Sequence, residues 1–428
     1  MKITILNGNP DPINEDFEDY VNRLSTLLTD RGHQVDHILL RDHDLKYCIG
    51  CFDCWVKTPG ECVARDDGDS VRRSVLASDF LLWAAPLVLG YPSALLKRMI
   101  DKSIPLVHPY FAVVHGEAHH RARYDRYPLT GLLIQPEADT KPEDLQIVEY
   151  AFRRTSLNMK SHLCFMRQTV QPVEETAAAI ETSAAVKESL PPTPAAVPGS
   201  AIPLPGTMVV FNGSPRGHNS NTNLLLRQFI AGFQQSRPNC AVETLDLIHV
   251  NRHDEYVDKM KEADLVFIGF PLYVDAMPGS VKAFFEQMRD IQTWQKKPAL
   301  GFLVQSGFPE SAHSRFVEHY LARLAQRLGC EYAGTIIKGG CEGIREQPEK
   351  MTAGLFGQFH QIGLSFGQTG RLDPVLLKKL STPEKYSPLL IPVFYLLSAI
   401  GLLNFWWDMQ LKQNGAYEQR FARPLEGK

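Results

Sequence analysis

At 428 residues the chain is longer than one compact α/β core, and two domains are the expected arrangement. A hydrophobic content of 44% with 22% charged residues is that of an ordinary soluble globular protein, and a net charge of −3 gives no bias toward nucleic acid or an anionic membrane. Eight cysteines in this length are no disulfide scaffold; four of them crowd one stretch, which in a reducing compartment points to metal or redox chemistry.

In chain order, Met1-Lys2-Ile3-Thr4-Ile5-Leu6 reads as a strand running straight into the loop Asn7-Gly8-Asn9-Pro10-Asp11-Pro12-Ile13-Asn14. It lacks the basic and long apolar regions of a signal peptide, so a cytoplasmic location is expected. A helical segment to about Leu28 follows, then a strand over 35–40. The apolar run Phe80-Leu81-Leu82-Trp83-Ala84-Ala85 ends at Pro86, and 93–104 reads as a helix. Runs at 129–135 and 162–165 complete a five-strand βαβ alternation, the pattern of a doubly wound parallel sheet. These strands are continuously apolar, as a sheet covered by helices on both faces requires. The first domain is therefore placed at 1–169. Between 170 and 205 Thr, Ala, Glu and Pro dominate, which reads as a semi-rigid linker with little to bury. The alternation restarts at 208–211, 242–245, 265–269, 299–304 and 332–337, giving a second α/β domain at 206–345 and a helical C-terminal extension at 346–428.

The two halves look like copies of one unit. Asn7-Gly8-Asn9-Pro10 aligns with Asn212-Gly213-Ser214-Pro215, and Ser78-Asp79-Phe80 with Ala263-Asp264-Leu265. Pro10 and Pro86 are 76 positions apart, Pro215 and Pro271 only 56, so the first copy carries an insertion of 20 residues that contains the clustered cysteines. The copies differ where an anion would bind. In the second, a strand enters Asn212-Gly213-Ser214-Pro215-Arg216-Gly217-His218-Asn219-Ser220-Asn221-Thr222 and a helix leaves it. Small residues allow close backbone approach, hydroxyls and amides are neutral donors, and the helix N-terminus adds its dipole and free N–H groups. Arg216 adds a charge suited to phosphate. The stretch is neither the three-glycine dinucleotide fingerprint nor a Walker loop. In the first copy Asp11, Glu15, Asp16, Glu18 and Asp19 replace these donors, and carboxylates repel a phosphate dianion in a low dielectric.

Gly-Ser-Pro-Arg followed by Asn-x-Asn-Thr resembles the FMN-phosphate loop of flavodoxin-like NAD(P)H-dependent FMN and quinone reductases. The segment from Ala263 to Pro271-Leu272-Tyr273 resembles their second flavin loop, and Met277-Pro278-Gly279-Ser280-Val281-Lys282 the helix after it. The resemblance implies two flavodoxin-like sheets in tandem, FMN as cofactor, NAD(P)H as co-substrate, and a quinone, flavin or other small molecule as electron acceptor. It implies phosphate anchoring by Ser214, Arg216, Asn219, Asn221 and Thr222, and a flavin ring bordered by Pro271, Leu272, Tyr273 and Val274. No side-chain acid or base is needed for hydride transfer. Ser306 and Gly307, in the turn after the fourth strand of the second copy, are a candidate third flavin contact, because ligands of open α/β sheets gather at the carboxyl ends of strands. The acidic first copy is expected to bind FMN poorly. Relatives of this kind are commonly dimers, so a homo-oligomer is one expectation.

Cys48-x2-Cys51-x2-Cys54-x7-Cys62 is similar to the compact cysteine motif of iron–sulfur flavoproteins. A [4Fe–4S] cluster, zinc, and free or reversibly oxidised thiols all stay open. A non-enzymatic flavin- or partner-binding module, or electron transfer between protein partners, are the rival functions. Clustered His and Glu near His115, Glu117, His119 and His120 read as a polar lid rather than a metal site. The apolar stretch 389–407 is nearly as long as a bilayer span but is interrupted by Pro392, Ser398, Gly401 and Asn404. It is expected to cap the second domain or to touch a membrane peripherally.

Overall fold

The computed structural model describes residues 1–184, 192–387, 389, 391–399 and 404–426. The chain forms two compact units, Met1–Pro191 with Ser387–Lys428, and Pro192–Tyr386.

The first unit opens with β1 (Lys2–Asn7), α1 (Glu15–Asp30) and β2 (Gln34–Leu39). Phe17, Tyr20, Val21, Leu24 and Leu28 recur at helical spacing and form the buried face of α1. The insertion contributes α2 (Asp53–Val56) and α3 (Gly68–Ala77). Then come β3 (Phe80–Val88), β4 (Tyr91–Pro92), α4 (Ala94–Asp101), β5 (Val107–Val114), β6 (Glu117–Ala122), β7 (Leu129–Gln135), α5 (Pro142–Asn158), β8 (Leu163–Gln168) and α6 (Val173–Glu181). The sheet runs β2-β1-β3-β7-β8, all parallel, with the short β4 antiparallel to β3. All nine residues of β3 are buried, as its unbroken apolar sequence requires.

The second unit repeats the plan. It contains β9 (Thr207–Asn212), α7 (Asn221–Ser236), β10 (Ala241–Asp246), α8 (His253–Glu262), β11 (Leu265–Pro271), α9 (Gly279–Gln287), β12 (Ala299–Gln305), α10 (Ala312–Leu328) and β13 (Tyr332–Lys338). Its parallel sheet runs β10-β9-β11-β12-β13, with β11 and β12 buried throughout. Both sheets therefore have the flavodoxin-like order, with the switch point between the first and third strands of each copy. The repetition reaches individual atoms. A buried lysine pairs with an acid one helical turn on in the helix after the third long strand of each copy: Lys97 with Asp101, and Lys282 with Glu286 at 2.7 Å.

Three expectations about boundaries are corrected. The segment 170–205 is not simply linker. Val173, Ala177 and Ile180 form a buried face of α6 against α1, and the Tyr20 hydroxyl meets Thr176 Oγ1 at 2.7 Å. An i, i+4, i+7 apolar set lies hidden in its alanine-rich composition. Further on, Ser200 N–H donates to the Tyr332 carbonyl at 2.8 Å and Ile202 N–H to the Gly370 carbonyl at 2.9 Å, so this part lies along the edge of the second sheet. The C-terminal extension is divided between the units. α11 (Glu349–Thr369) packs on α7, and α12 (Pro374–Leu380) on β13. Beyond Tyr386, α13 (Ile391–Ala399) and α14 (Phe405–Gln413) belong to the first unit, where Trp407 and Leu411 join Trp55, Val56, Val107 and Tyr110 in one core. The stretch 389–407, expected to cap the second domain, instead serves the first where it is described; 390 and 400–403 lie outside the described residues. No helix among the described residues is long and apolar enough to cross a membrane.

The His-rich segment, expected as a polar lid, is a two-stranded antiparallel ribbon of β5 and β6. Glu117 and His119 are buried, with Arg154 Nη1 donating to Glu117 Oε2 at 3.0 Å and His119 Nδ1 facing Asn158 Oδ1 at 3.1 Å.

Candidate flavin site at the carboxyl edge of the second sheet

Asn212, the last residue of β9, organises the loop that follows. Its buried side chain donates through Nδ2 to the Gly217 carbonyl at 2.8 Å and to Asp246 Oδ1 at 2.7 Å, while Oδ1 accepts from Ser214 N–H at 3.2 Å. Gly213 N–H donates to the Gly269 carbonyl at 2.6 Å, tying the loop to β11. A β-carbon at Gly213 would stand 2.6 Å from Val281, so only glycine permits this approach. Gly217 turns the chain with φ of +56°. Ser220 then caps α7, its hydroxyl accepting from Asn223 N–H at 3.1 Å. The first turn of this 16-residue helix holds no acid, whereas α1 begins with Glu15, Asp16 and Glu18.

The anticipated phosphate residues divide by use. Ser214 and Thr222 are buried; Ser214 Oγ accepts from Arg216 N–H at 3.3 Å, and Thr222 Oγ1 accepts from Gln305 Nε2 at 3.2 Å, each hydroxyl keeping its own proton to donate. Arg216 is partly exposed, with Nη1 3.3 Å from Glu342 Oε1. Asn221 spends its amide on the Cys341 carbonyl at 2.7 Å, and the Asn219 carbonyl accepts from Arg345. Asn221 thereby ties the loop to the segment after β13. Neutral hydroxyls, a helix N-terminus and one guanidinium, with no acid in 212–223, match the chemistry of a phosphate monoester, so the residues present fit FMN.

Beside this loop, Pro271 and Gln305 are register partners at the ends of β11 and β12, and Leu272 N–H donates to the Gln305 carbonyl at 2.7 Å. Tyr273 and Ala276 form a tight antiparallel bridge around Val274 and Asp275, which hold φ of +48° and +55°. Two consecutive non-glycine residues in the left-handed region cost free energy that the surrounding structure must sustain. Leu272, Tyr273 and Val274 are half-buried, and Gly307 is exposed on the neighbouring turn. Ser306 N–H donates to the Lys338 carbonyl at 3.0 Å and Ser306 Oγ to the Phe308 carbonyl at 3.0 Å, so Ser306 is committed to holding this turn. The sequence reading missed a buried group here. His313 Nδ1 lies 3.6 Å from Asp275 Oδ1 and Nε2 3.8 Å from Glu310 Oε2, so the second turn residue is tied to the start of α10. Only tertiary folding brings residues 275, 310 and 313 together.

The equivalent loop of the first unit is acidic and closed on itself. Glu18 Oε1 accepts from Asn9 Nδ2 at 2.6 Å and from Arg41 at 2.7 Å, and Oε2 accepts from Asn7 Nδ2 at 3.1 Å. Burial opposes ionisation of Glu18, but the bonds from Arg41 and Asn9 outweigh it and hold the carboxyl below its usual range.

The four clustered cysteines share one neighbourhood. Burial, then the charges of Asp101 and Cys62, push the Cys48 thiol up to about 12, against the Gly50 N–H and Lys102. Burial, then the charges of the three other thiols, raise the Cys54 thiol well above its ordinary value, and burial raises Cys51. Lys102 Nζ lies 2.7 Å from Asp66 Oδ2 and 3.9 Å from Cys62 Sγ. Phe52 stacks on Trp55 at 5.0 Å, and both meet Trp407 edge-on. Soft thiol donors suit iron–sulfur or zinc chemistry. Among the described residues, however, no three His, Cys, Asp or Glu side chains close into a metal-holding group, so the arrangement does not fit a cluster as it stands.

The chain is similar to known proteins over parts of its length. The chain is 36% identical over 81 residues to an iron–sulfur flavoprotein of Archaeoglobus fulgidus, covering 19% of this chain and 36% of that protein. It is 31% identical over 106 residues to an iron–sulfur flavoprotein of Methanocaldococcus jannaschii, covering 25% of this chain and 53% of that one. The chain thus spans only about a third to a half of the length of these relatives. An azoreductase crystal structure aligns at 16% identity with a TM-score of 0.30, over 37% of this chain and 100% of the other. The model of the family described as NADPH-dependent FMN reductase matches residues 1–126 and 207–330, one segment in each unit and together more than half of the chain. As the two matched segments together span more than half of the chain, the chain belongs to the NADPH-dependent FMN reductase family.

Proposed function

We propose that the protein is an FMN-dependent NAD(P)H oxidoreductase whose flavin is held by the second unit and whose electrons pass to a quinone, flavin or other small acceptor. The observation that carries this reading is the acid-free loop 212–223, rigidified by Asn212 and ending on the capped N-terminus of α7. FMN bound there would supply hydride acceptance from a nicotinamide and onward electron transfer. The chain's own residues bind and orient. Ser214, Thr222 and the α7 N-terminus meet the phosphate, Arg216 neutralises it, and the hairpin 272–275 presents backbone against the ring. No side-chain acid or base is assigned.

Titration with FMN and with riboflavin tests the phosphate assignment. Arg216→Ala is expected to weaken FMN by about tenfold or more, the worth of a charge-assisted hydrogen bond, while riboflavin, lacking the phosphate, binds variant and wild type alike. Equal losses for both ligands would mean that Arg216 does not meet the phosphate. Consumption of NADPH or NADH by FMN-loaded protein, with and without a quinone, tests the reaction. Absence of turnover with every acceptor would favour a flavin-binding module.

A second reading, electron transfer between protein partners, needs an iron–sulfur centre that Cys48, Cys51, Cys54 and Cys62 do not form as placed. It requires a rearrangement that closes the thiols around the metal. Equal amounts of iron and acid-labile sulfide in anaerobically purified protein are its expected signature, and their absence would remove it. A homo-oligomer and a peripheral membrane contact through 389–407 are proposed only as associations to be measured, by light scattering and vesicle flotation.

A further inference from the structure

The two units can be compared position by position at the edge where the flavin ring is proposed to lie. Pro86 pairs with Gln135 in the first sheet as Pro271 pairs with Gln305 in the second. Val88 bridges Tyr91 around Leu89 and Gly90, with φ of +53° and +76°, just as Tyr273 bridges Ala276 around Val274 and Asp275. The hairpins are the same structure. Counting two residues on from the paired glutamines gives Glu137 in the first unit and Gly307 in the second. Glu137 reaches across to its hairpin, where Oε1 accepts from Leu89 N–H at 2.7 Å and Oε2 from Gly90 N–H at 2.8 Å. Gly307 has no side chain with which to do so.

We propose that the Glu137 carboxylate is a built-in stopper of the first unit's ring position, and that the residue at this strand-end position, Glu137 or Gly307, decides which of the two hairpins admits the flavin ring. This rests on the reading of the second unit as the FMN site. A carboxylate gripping two adjacent N–H groups makes charge-assisted bonds roughly twice as strong as those a neutral flavin nitrogen or carbonyl oxygen can make. A ring entering the first unit would have to displace it and leave a carboxylate without those donors. The acidic loop 11–19 bars the phosphate of that copy independently, so the first unit lacks both halves of the site. The second unit can accept the same stopper. A β-carbon at Gly307 meets only Glu342 Cβ, at 3.5 Å, an ordinary contact, and its φ lies outside the left-handed region.

Titration of FMN into the full chain, followed by flavin fluorescence quenching, tests this. Wild type is expected to take one FMN per chain. Gly307→Glu is expected to weaken that binding at least ~30-fold, with an unchanged circular dichroism spectrum and melting transition. Gly307→Ala, which adds bulk without a carboxylate, is expected to lose at least tenfold less than Gly307→Glu. Two equivalents of FMN on wild type, or Gly307→Glu binding as tightly as wild type, overturns the proposal. Should Gly307→Glu not fold, Glu137→Ala decides. With the second unit saturated by FMN, this variant is expected to gain a riboflavin site that wild type lacks, and no gain overturns the proposal. Protein that takes up no FMN in any form would instead remove the FMN reading itself, and this proposal with it.

Discussion

Asp264 stands immediately before β11 and fastens the start of the second sheet. Its Oδ2 accepts from Gly206 N–H at 2.8 Å and Thr207 N–H at 2.9 Å, and Lys296 Nζ lies 2.8 Å from Oδ1. The Lys296 bond, with the N–H groups against a smaller burial cost, holds its carboxyl down to about 2. A folded pKa below the ordinary value means that stability is present above the unfolded pKa near 3.8 and is lost as pH falls toward 2. A shift of this size would nominally be worth about 2.5 kcal/mol. The side chain is 39% exposed, so solvent screening reduces the expected contribution to about 1 kcal/mol. Asp264→Asn should therefore lose about 1 kcal/mol at neutral pH and show a flatter stability profile between about pH 4 and 2, measured by urea unfolding across pH. Asp79 does the same work in the first unit, accepting from Lys2 N–H at 2.7 Å. The alignment of Asp79 with Asp264 is legible in the sequence. That both staple a first strand is not, because their partners lie 77 and 57 positions away.

Among helices, α7 and α11 show how little residue type says about packing. Where they cross, a β-carbon on Gly232 would stand 1.9 Å from the His360 carbonyl oxygen, and one on Gly363 1.9 Å from that of Phe229. Gly354 and Gly357, on the same helix α11, have nothing within 4 Å. Glycine in a helix interior costs about 0.5–1 kcal/mol relative to alanine. Gly357→Ala is accordingly expected to stabilise the protein by up to about 1 kcal/mol. Gly363→Ala should destabilise it by about 1–3 kcal/mol through overpacking. Paired denaturation curves of the two variants measure both signs. In the sequence all four glycines argue equally against a helix, and only the crossing separates them. The strand-edge loops were more legible. Loop 212–223 announces its donors locally, while the Asp275–His313–Glu310 group joins a hairpin to a helix 35 or more positions later.

For the whole molecule, the main surprise is the return of the C-terminus to the first unit. Tyr110 Oη donates to Asp408 Oδ1 at 2.6 Å, Arg123 Nη1 donates to the Ala422 carbonyl at 3.0 Å, and Arg423 pairs with Asp125 at 2.6 Å. Trp407 covers the helix that carries Cys54. Removing 387–428 should lower the melting temperature of the first unit and speed labelling of Cys51 and Cys54 by a thiol reagent. The second unit, complete within Pro192–Tyr386, should keep its melting transition and its flavin affinity. Calorimetry and timed thiol labelling of the truncated chain check this; two equally destabilised transitions would contradict it.

The fold class and the duplication were determined by the amino-acid sequence itself, because each depends on short-range pattern: continuous apolar strands and a repeated Asn-Gly-x-Pro turn; the donors proposed to meet a phosphate likewise crowd within eleven residues. Tertiary structure alone decided where residues 173–181 and 404–426 pack, which glycines meet a close backbone, and that Glu137 bonds to the hairpin N–H groups of Leu89 and Gly90. The physical reason is common to all of these. Burial and hydrogen bonding between residues far apart in the chain depend on which surfaces the folded backbone brings together, and local propensity carries no record of them.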